Sequence, residues 1–506
     1  MDSLISRVAA VAGTTPGCIA IVDGERRTGY GELWSRANDF AQLLREHGLL
    51  HGDRVGIVLP NRTEAVVAWY GTWLAGGVVV ALNVQARVRD LVPWLDHCGA
   101  RFVVHEHDHV DAVQALAAMA TSPVAISVSG SAMVFQPPSA VMCACASTAT
   151  ATPAPPDDLA LILYTSGTTG APKGVMLSHA NLLANARSVI AYLGLGPDDG
   201  VLSVLPFYYA YGASVLHTHL ISGARVVLAP NLVFPQLVVE AIARERVTGF
   251  SGVPSTFALL LDRVALHEYD LSSLRYLTQA GGAMTTTLAN RLRAALPRPR
   301  LFVMYGQTEA TSRLTWLPPE QLDRKPGSVG IPVDGVSLKV LREDGSEAAS
   351  GEAGDVWVHG PNVMQGYWND PAATAAVLRD GWLRTGDIGH LDHEGYLFLA
   401  GRRSDMIKTG AHRVHPDDIE QAIAEMDGVI EVAVVGVDDE VLGQVIKAFV
   451  VTETLPERGV ERVKAHCRAR LAPYKIPRHV EFVTALPRTA SGKVRRIQLT
   501  EQQATP

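Results

Sequence analysis

Residues Tyr164 to Gly174 read Y-T-S-G-T-T-G-A-P-K-G and follow directly on the apolar run L-A-L-I-L-Y, residues 159–164. An apolar run that ends abruptly in glycines and hydroxyls predicts a buried strand opening into a loop. A helix is then expected from about His179. Phosphate binding needs backbone N–H groups in a concave loop, hydroxyl donors and one mobile cation. Here Gly167, Gly170 and Gly174 permit close approach, Thr165, Ser166, Thr168 and Thr169 can donate, and Lys173 carries the charge. The same composition also suits a solvated connection between strand and helix. The spacing differs from G-x-x-x-x-G-K-[ST], so no P-loop ATPase is indicated.

Outward from this loop the chain alternates strand-like and helix-like periods. On the N-terminal side stand V-G-I-V-L-P (55–60), a helical segment over Glu64–Leu74 and R-F-V-V-H-E (101–106). On the C-terminal side follow R-V-V-L-A-P (225–230), V-T-G-F-S-G-V-P (247–254), L-R-Y-L-T-Q-A-G-G (274–282) and L-F-V-M-Y-G (301–306). This alternation implies βαβ units and a largely parallel sheet. The end of the stretch from about 121 to 157, S-T-A-T-A-T-P-A-P-P-D-D (147–158), reads as a loose linker, and the stretch as a whole is rich in Ala, Ser, Thr, Pro and Val. Within it, V-A-I-S-V-S-G and S-A-M-V-F-Q remain open as strands. Past residue 330 the texture becomes hairpin-like, with an E-D-G turn between apolar runs. From about Ser404 a small α+β unit is expected, with helices around Pro416–Met426 and Val460–Leu471 and strands V-I-E-V-A-V-V-G-V and V-I-K-A-F-V-V. No repeat at solenoid periods is present.

The 506-residue length suggests two or three domains, and 47% hydrophobic with 19% charged residues describes a folded chain. A net charge of −7 offers no strong basic field for nucleic acid or anionic lipid, so an anionic substrate would need a local site built for it. The five cysteines are scattered. Cys143 and Cys145 are the nearest pair and make a poor zinc site without a nearby His, so reduced thiols in a cytoplasmic protein are expected. The N-terminus carries early charges and does not read as a signal peptide. Residues Ala65 to Ala86 lack charge over a span long enough to cross a bilayer. Gly71, Gly76, Gly77 and Asn83 interrupt that span, which predicts a buried helix, a glycine break and a buried strand, with no membrane span.

Four more motifs follow the glycine-rich loop in order: Y-G-Q-T-E (Tyr305–Glu309), G-W-L-R-T-G-D (Gly381–Asp387), G-R-R-S-D-M-I-K-T-G (Gly401–Gly410) and P-R-T-A-S-G-K (Pro487–Lys493). With the loop, they make the chain resemble the adenylate-forming superfamily of acyl-CoA synthetases, peptide-synthetase adenylation domains and luciferases. The resemblance runs from about residue 15 to about 498. It implies an α/β fold with a large N-terminal domain (1–403) of parallel-rich sheets, helices and a β-rich subdomain. A small mobile α+β C-terminal domain (404–506) would follow. The loop Thr165–Gly174 would hold the β- and γ-phosphates of ATP, Glu309 would bind Mg²⁺, and Thr308 would contact the α-phosphate. Asp387 would accept hydrogen bonds from both ribose hydroxyls, a task suited to a carboxylate, with Arg402 assisting. Gly281, Gly282, Tyr305 and Gly306 would wall the adenine and acyl pockets, where missing side chains leave room. Lys493 would bridge the carboxylate and the α-phosphate, and Asp405 would be the pivot of the small domain.

The implied activity is ATP-dependent activation of a carboxylic acid to acyl-AMP, followed by transfer to a thiol. Ser203 to His217, S-V-L-P-F-Y-Y-A-Y-G-A-S-V-L-H, contains no Asp or Glu. A buried α-ammonium would lack a partner there, which argues against ordinary α-amino acids. The cluster Phe207, Tyr208, Tyr209 and Tyr211 favours a small or medium, apolar or aryl acid. Tyr209 lies near the usual gating aromatic of aryl and acyl-CoA ligases, and Thr278, Gln279, Ala280 and Ala283 are further pocket candidates. The acceptor is expected to be coenzyme A, with the phosphopantetheine of a carrier protein acting in trans as the alternative. Lys408–Glu420 resembles the K-[ST]-G-G version of CoA ligases but has Ala411 at the second glycine. No carrier segment follows Lys493, so a stand-alone enzyme is expected. A luciferase-type oxygenase shares these motifs. A non-catalytic scaffold is opposed by the intact Lys493, Glu309 and Asp387.

Overall fold

The computed structural model describes residues 2–136, 155–165, 173–229, 232–402, 405–409, 412–414, 416–439, 443–452, 457–471, 473–488 and 493–501. Among these residues the strands form three sheets of 14, 8 and 5 strands. The largest has a parallel half, in which Ile19–Asp23, Arg225–Leu228, Gly200–Ser203, Gly249–Gly252, Tyr276–Gln279 and Arg300–Tyr305 lie side by side. At Arg300–Tyr305 the sense changes: Thr315–Leu317 pairs antiparallel, and the hairpin-rich strands continue the sheet from there. The β-rich region past residue 330 is thus hydrogen-bonded onto the parallel sheet.

The second sheet is parallel over Arg54–Val58, Val78–Ala81, Ala100–Glu106, Val124–Ser129 and Leu159–Thr165. Strands of both large sheets share one buried cluster with the helices Tyr30–Glu46, Thr63–Ala75, His179–Leu193 and Ala210–Ile221. Burying both faces of a parallel sheet between helices explains why its strands read as continuous apolar runs. The uncharged stretch resolves into helix Thr63–Ala75, a left-handed cap at Gly76 with φ 88°, and strand Val78–Ala81. No described helix is long and apolar enough to cross a membrane.

The glycine-rich loop does not lead straight into a helix. Strand Lys173–Ser178 comes first and pairs antiparallel with Leu159–Thr165, so the loop joins a hairpin. The apolar residues of K-G-V-M-L-S are too few to announce a strand by themselves, and the pairing partner supplies the missing order. Ser178 then caps the helix, its hydroxyl accepting from Asn181 N while the Asn181 side chain accepts from Ser178 N. Ahead of the expected linker, the two segments left open as strands, Val124–Ser129 and Ala132–Gln136, form an antiparallel hairpin at the sheet edge. Residues 137–154, including Cys143 and Cys145, lie outside the described residues.

The third sheet holds Ile407–Thr409, His412–Val414, Val429–Asp439, Gly443–Thr452 and His479–Phe482. Helices Pro416–Ala424 and Gly459–Arg470 belong to the same part of the chain. Cys467, buried here, and Cys98, buried in the second-sheet layer, carry thiols that burial pushes up to about 11 and about 12.

The core also contains neutral histidines. Burial holds His217 down to about 3 and His219 and His179 to about 4. These folded values lie below the ordinary 6.5, so as pH falls from 6.5 the unfolded chain takes up protons that the folded chain refuses. Stability is therefore expected to fall with pH in that window, by up to about 1.4 kcal/mol per pH unit for each histidine. A melting temperature that drops between about pH 6.5 and 5 in scanning calorimetry is the expected result; a flat profile there would overturn it.

Candidate active site

A cleft of about 1430 Å³ is lined by residues of the glycine-rich hairpin, the Y-G-Q-T-E turn, the segment Leu383–Gly386 and the C-terminal sheet unit. Thr165 and Lys173 face one another as the last and first paired residues of their strands, so both ends of the loop open at the cleft. Ser166, Gly167, Thr168, Thr169 and Gly170 lie outside the described residues.

Strand Gly366–Tyr367 pairs with Lys173–Ser178, bringing Tyr367 beside the loop. The Lys173 ammonium stands 5.0 Å from the centre of the Tyr367 ring, a cation–π distance. The Tyr367 hydroxyl donates to Glu309 Oε1 at 3.0 Å. Burial, and then the charge of Glu309, push this phenol up. Glu309 and Thr308 occupy a single 3₁₀ turn, Thr308–Ala310, at the end of strand Arg300–Tyr305. Tyr367 belongs to none of the five motifs, and only the tertiary structure reveals it.

Asp387 and Arg402 face each other across adjacent antiparallel strands. Arg402 Nε lies 3.2 Å from Asp387 Oδ1, and the Tyr305 hydroxyl donates to Oδ2 at 2.5 Å. The Asp387 charge holds the Arg402 guanidinium above its ordinary value. Burial, with the Asp387 charge second, raises the Tyr305 phenol. Tyr305 and Asp387 are both buried, next to the cleft-lining Gly306, Gly386 and Arg402. Each Asp387 oxygen thus has a protein neighbour, and its remaining lone pairs are what a ligand could use.

Gly306 does line the cleft, but its missing side chain serves the chain itself. A Cβ there would lie 1.9 Å from the Ser312 carbonyl oxygen, so the main chain can double back only over glycine. Gly281 and Ala280 line the cleft, whereas Gly282 is exposed beside it and its carbonyl accepts from Gln279 Nε2 at 2.8 Å. Among the aromatic cluster, Tyr208, Tyr209 and Tyr211 line the cleft and Phe207 packs into the core. The rings of Tyr208 and Tyr209 meet edge-on with centroids 4.7 Å apart. Thr278, Gln279 and Ala283 are not part of the wall.

Lys493 arrives from the far end of the sequence and lines the same cleft as Arg402, Glu309 and Thr308. It keeps contact with cleft solvent, yet the surrounding protein removes enough water to lower its ammonium below the ordinary lysine value. Repulsion from Arg402 adds to this, while Asp387 and Glu309 oppose it. Asp405 receives Arg496 Nη1 at 3.0 Å, and the same guanidinium meets Glu420 at 2.9 Å. Gly410 and Ala411 lie outside the described residues. The protein is acidic overall, but Lys173, Arg402 and Lys493 converge on one cleft, the local cationic site that an anionic ligand needs. Among the described residues no group of three or more His, Cys, Asp or Glu side chains could hold a metal alone. Glu309 is one carboxylate beside the cations of the cleft, and one carboxylate completed by the phosphate oxygens of a bound nucleotide is a donor set that fits Mg²⁺.

Comparison with known proteins identifies the family. Residues 8–368 match the family model of the AMP-binding enzyme, and residues 418–493 that of the AMP-binding enzyme C-terminal domain. A feruloyl-CoA synthase of Amycolatopsis sp is 35% identical over 486 residues, covering 96% of this chain and 95% of its own. A long-chain-fatty-acid–CoA ligase of Bacillus subtilis (strain 168) is 33% identical over 527 residues, covering 97% and 93%. The solved o-succinylbenzoate coenzyme A synthetase of Bacillus subtilis, in complex with ATP and magnesium ion, superposes with a TM-score of 0.85 at 31% identity. That match covers 97% of this chain and 98% of the other. The ordered motifs, the two family models and near full-length similarity lead to one assignment: the chain belongs to the adenylate-forming superfamily of AMP-binding enzymes, as an AMP-forming acid–thiol ligase of the acyl-CoA synthetase kind.

Proposed function

We propose that the cleft activates a carboxylic acid with ATP as its acyl adenylate, releasing pyrophosphate, and then passes the acyl group to the thiol of coenzyme A. The observation that carries this reading is the meeting of Lys493 with Thr308, Glu309, Arg402 and both ends of the glycine-rich hairpin in one cleft. Two anions, a carboxylate and a triphosphate, must approach one another, and their repulsion is the barrier that preorganised cations lower. Lys173 and the loop would hold the β- and γ-phosphates. Lys493 would sit between carboxylate and α-phosphate, its lowered affinity for a proton rising again as the anions arrive. Thr308 would donate to the α-phosphate. Asp387, oriented by Tyr305 and Arg402, would accept from the ribose. Mg²⁺, held by Glu309 and phosphate oxygens, would supply Lewis-acid screening of the phosphates. Tyr367 positions the Glu309 carboxylate through its hydroxyl.

For the second half-reaction we place the pivot at Asp405, between units 1–403 and 404–506. Turning the small unit would withdraw Lys493 and admit the thiol. The ion pair of Asp405 with Arg496 ties the pivot to the last described helix, so that the two would move together. Tyr208, Tyr209 and Tyr211 wall the acyl side, and the cytoplasm, with its coenzyme A, is the compartment that suits the chemistry.

The test is pyrophosphate release with ATP and Mg²⁺ against aryl, short-chain, long-chain and amino acids, each with and without coenzyme A, with products weighed by mass spectrometry. Acyl-CoA from one class of acid is the expected result. Adenylate that ignores coenzyme A would move the acceptor to a carrier-bound phosphopantetheine. No pyrophosphate from any acid would overturn the reading.

A further inference from the structure

We infer that Arg313 selects acids that carry a second carboxylate at the end remote from the one activated. This inference rests on the reading of the cleft as an acyl-activating site and specifies its substrate class.

Arg313 follows four residues after Glu309, where the chain doubles back beneath Gly306. Its main chain is pinned, because the carbonyl accepts from Asn362 Nδ2 at 2.7 Å and from Asn185 Nδ2 at 3.3 Å. The residue is 2% exposed and ranks among the largest fully buried side chains, yet it lines the cleft together with Tyr211, Ala280 and Gly306. Its guanidinium carbon stands 4.1 Å from the centre of the Tyr211 ring. That ring is itself fixed, its hydroxyl bonded to Thr278 O and Oγ1 at 2.9 Å each. Nη1 donates to Ser312 Oγ and, at 3.4 Å, to the Ser312 carbonyl, the guanidinium also meets the Tyr192 hydroxyl, and Nε has no hydrogen-bond partner.

Among the described residues no carboxylate lies within ion-pair distance of this guanidinium, whereas Arg36 and Arg62 each pair with the buried Glu64, and Arg62 with Glu106 as well. A lysine in such a place could shed its proton, but an arginine remains charged and bears the full desolvation cost. These partners, the Tyr211 face, the Ser312 hydroxyl and carbonyl and the Tyr192 hydroxyl, are all neutral and do not supply the counter-charge of a buried cation. What balances it is an anion supplied from the cleft. Nε is enclosed, but a carboxylate entering from the cleft can accept from a terminal nitrogen at the cleft wall and bring the opposite charge, a charge-assisted hydrogen bond. A distal keto or hydroxyl group would offer an acceptor without the counter-charge. The substrate would then span two cationic ends, with its reacting carboxylate toward Lys493 and its second toward Arg313, and Tyr208 and Tyr209 against the stem between them.

The experiment compares matched pairs of acids, aliphatic and aryl, that end in carboxylate, hydroxyl or methyl at the far position, by kcat/KM for pyrophosphate release. The wild-type enzyme is expected to favour the diacid over its methyl-ended match by at least about 10²-fold. Arg313→Met is expected to bring that ratio near one, and Arg313→Lys to retain part of it. A wild-type enzyme that turns over methyl-ended acids as well as diacids would overturn the inference while leaving the proposed function standing. So would a diacid preference that survives in Arg313→Met. Absence of turnover with every acid would instead remove the proposed function, and this inference with it. The wild-type ratio decides the matter even where a variant does not fold.

Discussion

Replacing Lys493 by alanine is expected to slow acyl-adenylate formation by about 10²–10³-fold while thioester formation from pre-made adenylate survives. The asymmetry follows from the proposed arrangement, because only the first half-reaction brings two anions together beside this ammonium. The fold should not suffer. Lys493 is exposed to the cleft, and burial by its surroundings together with Arg402 lowers its pKa. A lysine whose folded pKa lies below its unfolded value costs stability while it is charged, and that cost fades as pH rises through the folded pKa. The alanine variant should therefore melt no lower than wild type near neutral pH. In the wild-type enzyme the rate of adenylation per free enzyme should decline at a pH below the ordinary lysine range. ATP–pyrophosphate exchange, single-turnover transfer from synthetic adenylate, and a thermal melt together check the set. Undiminished exchange in the variant would remove Lys493 from the proposed mechanism.

Glu309→Gln is expected to have the second largest effect, lowering pyrophosphate release by about 10²-fold and raising the Mg²⁺ concentration needed for half-maximal rate. Glutamine keeps the shape and can still accept from Tyr367, but it loses the charge that would hold the cation. The hydrogen bond from Tyr367 then goes to a neutral acceptor, a stability loss of about 1 kcal/mol. Tyr367→Phe separates holding from orienting: the charge remains and its positioning bond is lost, so the Mg²⁺ dependence should shift less and the rate should still fall. Titration of initial rate against Mg²⁺ reads all three proteins. A Glu309→Gln enzyme with wild-type Mg²⁺ dependence would rule out the carboxylate as the metal's protein ligand.

The α/β class and the positions of most strands were legible because apolar runs between glycine and proline breaks are local signals. Strand Lys173–Ser178 escaped notice since its identity comes from the partner Leu159–Thr165, not from its own composition. In the site, the glycine-rich loop and the motifs around Glu309, Asp387 and Lys493 announced themselves by residue type and order. Tyr367 did not, because its meaning lies in a hydrogen bond to a residue 58 positions away. Asp387 was legible as a carboxylate, but its support by Tyr305, 82 positions away, was not. Gly306 invited a reading as space for a ligand, whereas a Cβ there would strike the Ser312 carbonyl.

By itself, then, the amino-acid order of this protein determined its family and class of chemistry, since the groups proposed to meet phosphate and carboxylate are written in short contiguous motifs. The tertiary structure alone decided which of those groups face the cleft, which are buried beside it, and that Arg313 is buried there without a carboxylate. The physical reason is that desolvation and pairing belong to surroundings assembled from distant parts of the chain, and an arginine in a loop reads the same whether water or a tyrosine ring lies beside it.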